Sequence, residues 1–148
     1  MRLSEILSVK GSTVHCISPE ATLQEVVKAL VEHRIGSLVV CRSDPAGEKE
    51  ILGIITEHDI LYACEAGRRP LTEVTVGEAM SATLVTATPE DEVEGVMGLM
   101  TTRRIRHLPV LVEGRLAGII SIGDVVKAQH DRLAMENRFM MDYIGRPR

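Results

Sequence analysis

The chain has 148 residues, of which 45% are apolar, and its formal net charge is −4. This length allows one ordinary domain or two very small ones packed together. One Phe and two Tyr are the only aromatic residues, so the core must be aliphatic and stacking platforms for single-stranded nucleic acid are missing. With its acidic charge balance, the composition indicates a globular protein for which nucleic acid is a poor partner.

The N-terminal segment has no apolar signal core, and no apolar run is long enough to span a bilayer. The three cysteines, Cys16, Cys41 and Cys64, form neither a CxxC pair nor an even set for disulfides. A reducing compartment fits this cysteine usage. We therefore expect a cytoplasmic protein with no membrane partner.

The first predicted elements are a short strand and a helix. Residues 13–17 are β-prone, and the next helix is predicted near Leu23 because Thr22 and Glu25 fit a capping box. Apolar residues then recur at helical spacing. Two strands across a polar turn are predicted at 38–41 and 51–55.

A closing helix is predicted to begin near Asp59, and residues 67–74 are interpreted as a linker. The second half of the chain repeats the whole order. The segment "SPEATLQEVVKALVEHRIGSLVV" (18–40) aligns with "TPEDEVEGVMGLMTTRRIRHLPV" (88–110), and "ILGIITEHDILYA" (51–63) aligns with "LAGIISIGDVVKA" (116–128). Residues 83–87 are the matching first strand, and "DEVE" (91–94) is a looser capping box. The predicted units are 1–66, 75–130 and a helical tail, 131–148.

The tail extends the last helix with an irregular apolar face that includes Leu133, Met140 and Ile144. Such a face must be covered by the chain's own core or by a second subunit. The sequence leaves both alternatives open.

Two motifs in the repeat have a structural and a functional interpretation. Thr56 with Asp59, and Ser121 with Asp124, have the spacing of a helix cap. The same geometry can hold a ligand, because a helix N-terminus suits phosphate and a carboxylate can accept hydrogen bonds from a ribose diol. The basic run at 103–107 is either a solvated face or a phosphate site.

Catalysis and metal binding have less support. His15, Cys16 and His58 lack the usual spacing of metal ligands, so no metal site is predicted. Ser121 lacks a nucleophile elbow and no P-loop lysine motif is present. No catalytic residue is predicted, and we expect no enzymatic activity.

The chain resembles a cystathionine-β-synthase (CBS) domain pair, or Bateman module, over residues 3–130. The resemblance rests on motifs that occur in the same order in both repeats: a strand, "SPE" or "TPE", a helix, "RI", and "GII" followed by Thr or Ser and then Asp. The resemblance implies an α+β fold of two tandem β-α-β-β-α repeats. The repeats would pack sheet to sheet with pseudo-two-fold symmetry, followed by a C-terminal helical extension. It further implies two clefts that commonly bind adenosine-containing ligands, and dimerisation into a flat disc.

The resemblance also assigns roles to residues. The ribose would be held by Asp59 and Asp124. The phosphates would be held by Thr56, Ser121, Arg106 and His107. The base pocket would be formed mainly by the backbone of Ile17, Ser18, Ala87 and Thr88, with His58, Ile35 and Ile105 as further candidates.

Gly36 and Ser37 occupy the places of Arg106 and His107 in the first repeat. We therefore expect unequal clefts, at most one of which binds a multiply phosphorylated ligand tightly. The missing Arg-His pair makes Thr56 and Asp59 the weaker candidates.

The expected function is a non-enzymatic regulatory module that senses AMP, ADP or ATP, with S-adenosylmethionine and NAD ranked behind them and no obligatory cofactor. One alternative is a structural or oligomerisation module with empty clefts. Another is a regulatory subunit of an enzyme or transporter, with an unidentified effector protein as its partner. The resemblance also implies a homodimer, in the form of the disc-like CBS module.

Overall fold

The computed structural model describes residues 1–145, so residues 146–148 of the predicted tail lie outside the described part. In chain order the elements are α1 (Leu3–Lys10), β1 (Cys16–Ile17), α2 (Leu23–His33), β2 (Ser37–Ser43), β3 (Lys49–Thr56), α3 (Glu57–Ala66), α4 (Val76–Ala79), α5 (Val93–Arg103), β4 (His107–Val112), β5 (Arg115–Ser121) and α6 (Ile122–Gly145). No helix within the described residues is both long and apolar enough to cross a membrane.

The two halves form two small sheets. In the first, β1 lies parallel to β2, and β2 pairs with β3 in antiparallel register. In the second, β4 and β5 form an antiparallel pair. In both antiparallel pairs the register shifts after the fourth residue of the first strand, between Val40 and Cys41 in β2 and between Val110 and Leu111 in β4. Strands β3 and β5 contact each other, which brings the two sheets together.

The predicted first strand of the second half is the main difference from the sequence analysis. Residues 83–87 form only one isolated parallel bridge, between Ala87 and Val110. In the first half, Val39 donates its N–H to His15 O at 3.2 Å. Pro109 occupies the matching place in β4 and has no N–H, so the ladder cannot extend there.

Helix starts follow the predicted capping with one exception. Thr22 and Glu25 form a reciprocal capping box at α2, with bonds of 3.2 and 2.9 Å. The looser box at 91–94 was wrong: α5 begins at Val93 without a side-chain cap. Asp91 instead accepts the N–H of Thr88 at 2.8 Å, and it lies one residue before the N-cap position of α5, which is Glu92.

Each half has its own aliphatic core, but the short helices are exchanged between them. Leu3 and Ile6 of α1 pack into the core of the second half beside Val93 and Leu108. Val76 of α4 packs into the core of the first half. Each half is therefore completed by a helix that precedes the other half in the sequence, and this interlocks the two repeats.

Candidate functional site

A cavity of about 190 Å³ lies between the two halves; we call it the Asp59 cleft. The start of α3 forms one wall, and the segments before α5 and β4 form the other. The residues that line it are Ile54, Thr56, Glu57, His58, Asp59, Ser81, Thr83, Leu84, Val85, Arg104, Ile105, Arg106, His107 and Pro109.

The start of α3 places Thr56 and Asp59 in this cleft. The N–H of Thr56 donates to Asp59 Oδ2 at 2.9 Å, and the Thr56 hydroxyl donates to the same oxygen at 3.4 Å. Both bonds involve Oδ2, so Oδ1 is left to accept hydrogen bonds from a bound molecule. Capping and ligand binding are therefore compatible in the geometry of this carboxylate.

The second repeat contributes the cationic part of the cleft. Arg104, Arg106 and His107 precede or begin β4, and all three line the cavity opposite the start of α3. Arg104 ends α5 in the left-handed conformation, with φ of 53°. This turn sends the chain from the helix into β4 past the cavity.

His107 is half-buried where the two halves meet. Burial lowers its pKa, and the nearby positive charges of Lys10 and Arg106 lower it further, while Glu57 and Asp124 act in the opposite direction. A Cβ on Gly36 would lie 3.3 Å from two atoms of the His107 ring. The glycine that replaces an arginine in the first repeat thus makes room for this imidazole.

The pseudo-symmetric position around Asp124 is different. Ser121 and Asp124 form a reciprocal cap with bonds of 2.8 and 3.1 Å. In addition, Lys10 at the end of α1 forms a 2.6 Å ion pair with Asp124 Oδ2, and Lys10 also donates to Ile119 O. Burial raises the pKa of Asp124, but the bonds from Lys10 and Ser121 outweigh it, so the pKa is lowered overall. This carboxylate is already neutralised from within the chain.

Several predicted site residues lie outside the Asp59 cleft. Ala87 is 4% exposed and belongs to the core of the second half. Ser18 hydrogen-bonds to Glu20, and Ile17 packs against the core of the first half. Ile35 lines a separate surface groove between α2 and α3, and Thr88 donates to Asp91. His58 and Ile105, the other two further candidates, do line the cleft.

Both walls of the cleft contain residues that the sequence did not indicate. Thr83, Leu84 and Val85 line the cavity in place of the predicted segment at 87–88. They lie in the β-prone stretch, and Pro109 was the signal that this stretch pairs too poorly to be a strand. Glu57 was not predicted, although it lies between two predicted residues. Arg104 belongs to the basic run at 103–107 but had no role of its own, and the fold shows that both residues line the cleft.

Among the described residues, the cysteines and the histidines outside the cleft form no metal site. His15 stacks on His33 with ring centroids 3.9 Å apart. Cys16 and Cys41 are free thiols with their Sγ atoms 3.3 Å apart, and burial raises the pKa of Cys41 to about 12. Within residues 1–145 no group of three or more His, Cys, Asp or Glu side chains could hold a metal ion.

The fold and the cleft define a duplicated α+β module with a cleft assembled from both repeats. The family model for the CBS domain matches the chain twice, over residues 6–66 and 76–131. The chain belongs to the CBS-domain family and carries a tandem pair. The predicted resemblance and fold class are thereby confirmed.

Known relatives agree with this assignment. The CBS domain-containing protein CBSX3, mitochondrial, of Arabidopsis thaliana is 39% identical over 123 residues, which are 82% of this chain and 58% of that protein. The chain thus spans little more than half of that relative's length. The crystal structure of the CBS-domain containing protein ATU1752 from Agrobacterium tumefaciens matches with a TM-score of 0.80 and 37% identity, covering 87% of this chain and 99% of that one.

A third match is the CBS domain pair of protein MJ0100, solved in complex with 5′-methylthioadenosine and S-adenosyl-L-methionine. It has a TM-score of 0.72 and 25% identity, and covers 86% of this chain and 98% of that chain. Tandem CBS pairs are commonly regulatory, and their relatives are typically non-catalytic.

Proposed function

We propose that this protein is a non-enzymatic regulatory module that binds one adenosine-containing ligand per chain in the Asp59 cleft, with AMP, ADP and ATP as the leading candidates. The observation that carries the proposal is the difference between the two aspartates. Asp59 has no cation bound to its carboxylate among the described residues and shares a cleft with two arginines and a histidine. Asp124 is held by Lys10.

The chemistry of the cleft supports this class of ligand. Asp59 can accept both hydroxyls of a ribose, as acidic residues do in dinucleotide sites. Arg104 and Arg106, with the N-terminus of α3, suit phosphate because a guanidinium binds it bidentately and the helix end adds a positive dipole. Apolar residues such as Val85 and Pro109 can cover an adenine face.

The relative MJ0100 supports the adenosine part of the proposal, since both of its bound molecules contain adenosine. Neither of those molecules carries a phosphate. The two arginines in the cleft of this chain are the reason for placing phosphorylated nucleotides ahead of S-adenosylmethionine.

Regulation would follow from the position of the cleft. A ligand that contacts Asp59 in the first repeat and Arg106 in the second favours the arrangement in which both reach it. The free energy by which the ligand shifts the two populations is limited to the difference between its binding free energies for the two arrangements. A partner or second subunit that contacts both repeats would read that shift.

Isothermal titration calorimetry with AMP, ADP, ATP, S-adenosylmethionine and NAD tests the proposal. We expect one site per chain for at least one adenine nucleotide. Asp59→Asn should weaken binding about 10- to 100-fold, because one or two hydrogen bonds to a charged acceptor are lost. Asp124→Asn is the matched control, since it changes the equivalent cap, and it should leave the affinity unchanged. Two equal sites, or equal effects of both variants, would contradict the proposal.

The alternative is an oligomerisation module with empty clefts, which the exposed apolar surface of α6 favours. The melting temperature separates the two. A ligand at 100 times its Kd stabilises a protein by about 2.7 kcal/mol. No shift at millimolar concentration with any of the five compounds would favour the oligomerisation module.

A further inference from the structure

The thiols of Cys16 and Cys41 meet at the edge of the first sheet. Strand β1 is two residues long and lies outside β2 in that sheet. In its parallel register Cys16 is opposite Val39, and Cys41 follows Val39 by two residues along β2. Because successive side chains of a strand alternate between the two faces, the cysteines are diagonal neighbours on the same face. Their Sγ atoms are 3.3 Å apart.

The two thiols differ in how easily a molecule from solution reaches them. Cys41 is 8% exposed and belongs to the aliphatic core, whereas Cys16 is only partly buried. Burial raises the pKa of the Cys41 thiol to about 12, and its contact with Cys16 adds to this effect, while Lys49 acts in the opposite direction. An oxidant therefore reaches Cys16 first, and Cys41 lies behind it as a protonated thiol.

A disulfide between these residues requires only a small movement of the sheet edge. The S–S bond is about 2.05 Å long, so the two sulfur atoms must approach each other by about 1.3 Å. Strand β1 is paired on one side only, and next to the cysteines the N–H of Val39 donates to His15 O at 3.2 Å. A two-residue edge strand can follow such a shift without a rearrangement of β2 and β3.

We propose that Cys16 and Cys41 form a redox-active dithiol site, which hydrogen peroxide converts reversibly into an intramolecular disulfide. Neither residue lines the Asp59 cleft, so the site is independent of the proposed nucleotide ligand. The bond closes a loop of 25 residues that contains α2, and it ties this loop to the sheet of the first half. A cross-link of this kind removes conformational freedom from the unfolded chain.

The oxidation has two steps, and Cys16 reacts in the first. Its thiolate attacks one oxygen of the peroxide, the O–O bond breaks, and hydroxide leaves and takes up the proton that Cys16 has lost. The Cys16 sulfur becomes a sulfenic acid as the peroxide is reduced. The sulfur of Cys41 then attacks the Cys16 sulfur, the S–O bond breaks, and the departing hydroxide takes the Cys41 proton.

Two thiols and one peroxide thus give one disulfide and two water molecules. A dithiol reductant reverses the change by thiol–disulfide exchange. In a reducing compartment the site consists of two thiols, and the disulfide accumulates only while peroxide is present.

Mass spectrometry of the full chain tests the site in a Cys64→Ser background, which removes the exposed thiol. A small molar excess of peroxide should consume both remaining thiols. The intact mass should show the loss of two hydrogen atoms, and peptide mapping should join Cys16 to Cys41 within one chain. Two thiols that persist, a Cys16 that gains oxygen instead, or a link between two chains would overturn the proposal.

Two single variants in the same background test the order of the steps. In Cys41→Ala, Cys16 has no second thiol to react with, so it should accumulate as a sulfenic acid that dimedone labels. In Cys16→Ala, the buried Cys41 should stay a free thiol under the same treatment. Equal labelling of the two variants, or labelling of Cys41 alone, would contradict the proposed order.

The melting temperature tests whether the disulfide fits the fold. For a chain of this size the cross-link should raise the melting temperature by about 5–15 °C, relative to the same sample reduced with dithiothreitol. Peroxide should not raise it in the Cys41→Ala control. Amide exchange should become slower in β1 and α2, which the loop contains. An unchanged or lower melting temperature of the oxidised pair would show that the bond strains β1, and it would overturn the proposed site.

Discussion

At the level of single residues, the charge of the cleft depends on the protonation of His107. Its pKa is lowered from the ordinary value of 6.5, mainly by burial and then by Lys10 and Arg106. The imidazole is therefore neutral at pH 7. A phosphate placed beside it would favour the protonated form and raise that pKa again.

This shift predicts a pH dependence of stability. As the pH falls below about 6.5, the unfolded chain takes up a proton on His107 before the folded protein does, so the free energy of unfolding decreases. His107→Gln removes this contribution, and its stability should fall less between pH 7 and pH 5 than that of the unchanged protein. Urea titrations at several pH values measure the difference. A larger loss in the variant would show that folding raises the pKa instead.

Single residues also show what the sequence could and could not predict. The equal motifs at Thr56–Asp59 and Ser121–Asp124 were recognisable, and both do begin helices. The sequence made the first copy the weaker candidate, because Arg106 and His107 belong to the second, but it left open which cleft this pair serves. The structure places that pair in the cleft of the first copy. The Lys10 bond to Asp124 spans 114 residues of sequence, and no local pattern reveals it.

At the level of elements, β3 and β5 each contain a glycine where another segment approaches closely. The segment after α4 approaches β3, and α1 approaches β5. Ile54 of β3 exchanges two backbone bonds with Ser81, of 3.1 and 3.0 Å, just beyond α4. A Cβ on Gly53 would lie 2.5 Å from the backbone oxygen of Ser81. A Cβ on Gly118 would lie 2.6 Å from Leu7 Cδ2, the end of a flexible side chain.

These contacts predict unequal effects of two matched substitutions. Gly53→Ala forces the backbone after α4 away and should cost about 2–3 kcal/mol of stability, whereas Gly118→Ala can be relieved by a rotamer change of Leu7 and should cost about 1 kcal/mol or less. Gly53→Ala should also weaken ligand binding, because Ile54 and Ser81 line the Asp59 cleft. Thermal and urea unfolding compare the two. Equal costs would show that the backbone near Ser81 yields as easily as a side chain.

The sequence predicted most elements because the spacing of apolar residues and the capping of helices are local properties of the chain. It overestimated one strand because strand pairing depends on a partner that is distant in the sequence. Residues 83–87 have β-forming composition, but their partner strand carries Pro109, and the missing N–H decides the outcome. The consequence is functional, since the unpaired residues Thr83, Leu84 and Val85 line the cleft instead.

At the level of the whole molecule, the repeats are interlocked by exchanged helices. Leu3 is fully buried, and it packs with the second half although it precedes the first. The backbone reinforces this exchange, since Leu3 N donates to Asp91 O at 3.0 Å and Val93 N donates to Met1 O at 2.9 Å. Sequence position suggested that α1 belongs with the first repeat. The stability of each half therefore depends on a helix that sequence order assigns to the other.

The exchange of helices predicts which half is loosened when a buried side chain is shortened. Leu3→Ala should destabilise the protein by about 2–5 kcal/mol, because a fully buried leucine leaves a cavity that the aliphatic core fills only in part. Its main effect should be faster amide exchange in β4 and β5 rather than in β2 and β3, since local opening follows the weakened contacts. Val76→Ala is the mirror-image control: it lies in the core of the first half and should loosen β2 and β3 instead. Hydrogen exchange followed by mass spectrometry distinguishes the two patterns, and faster exchange in β2 and β3 of Leu3→Ala would show that α1 supports its own repeat.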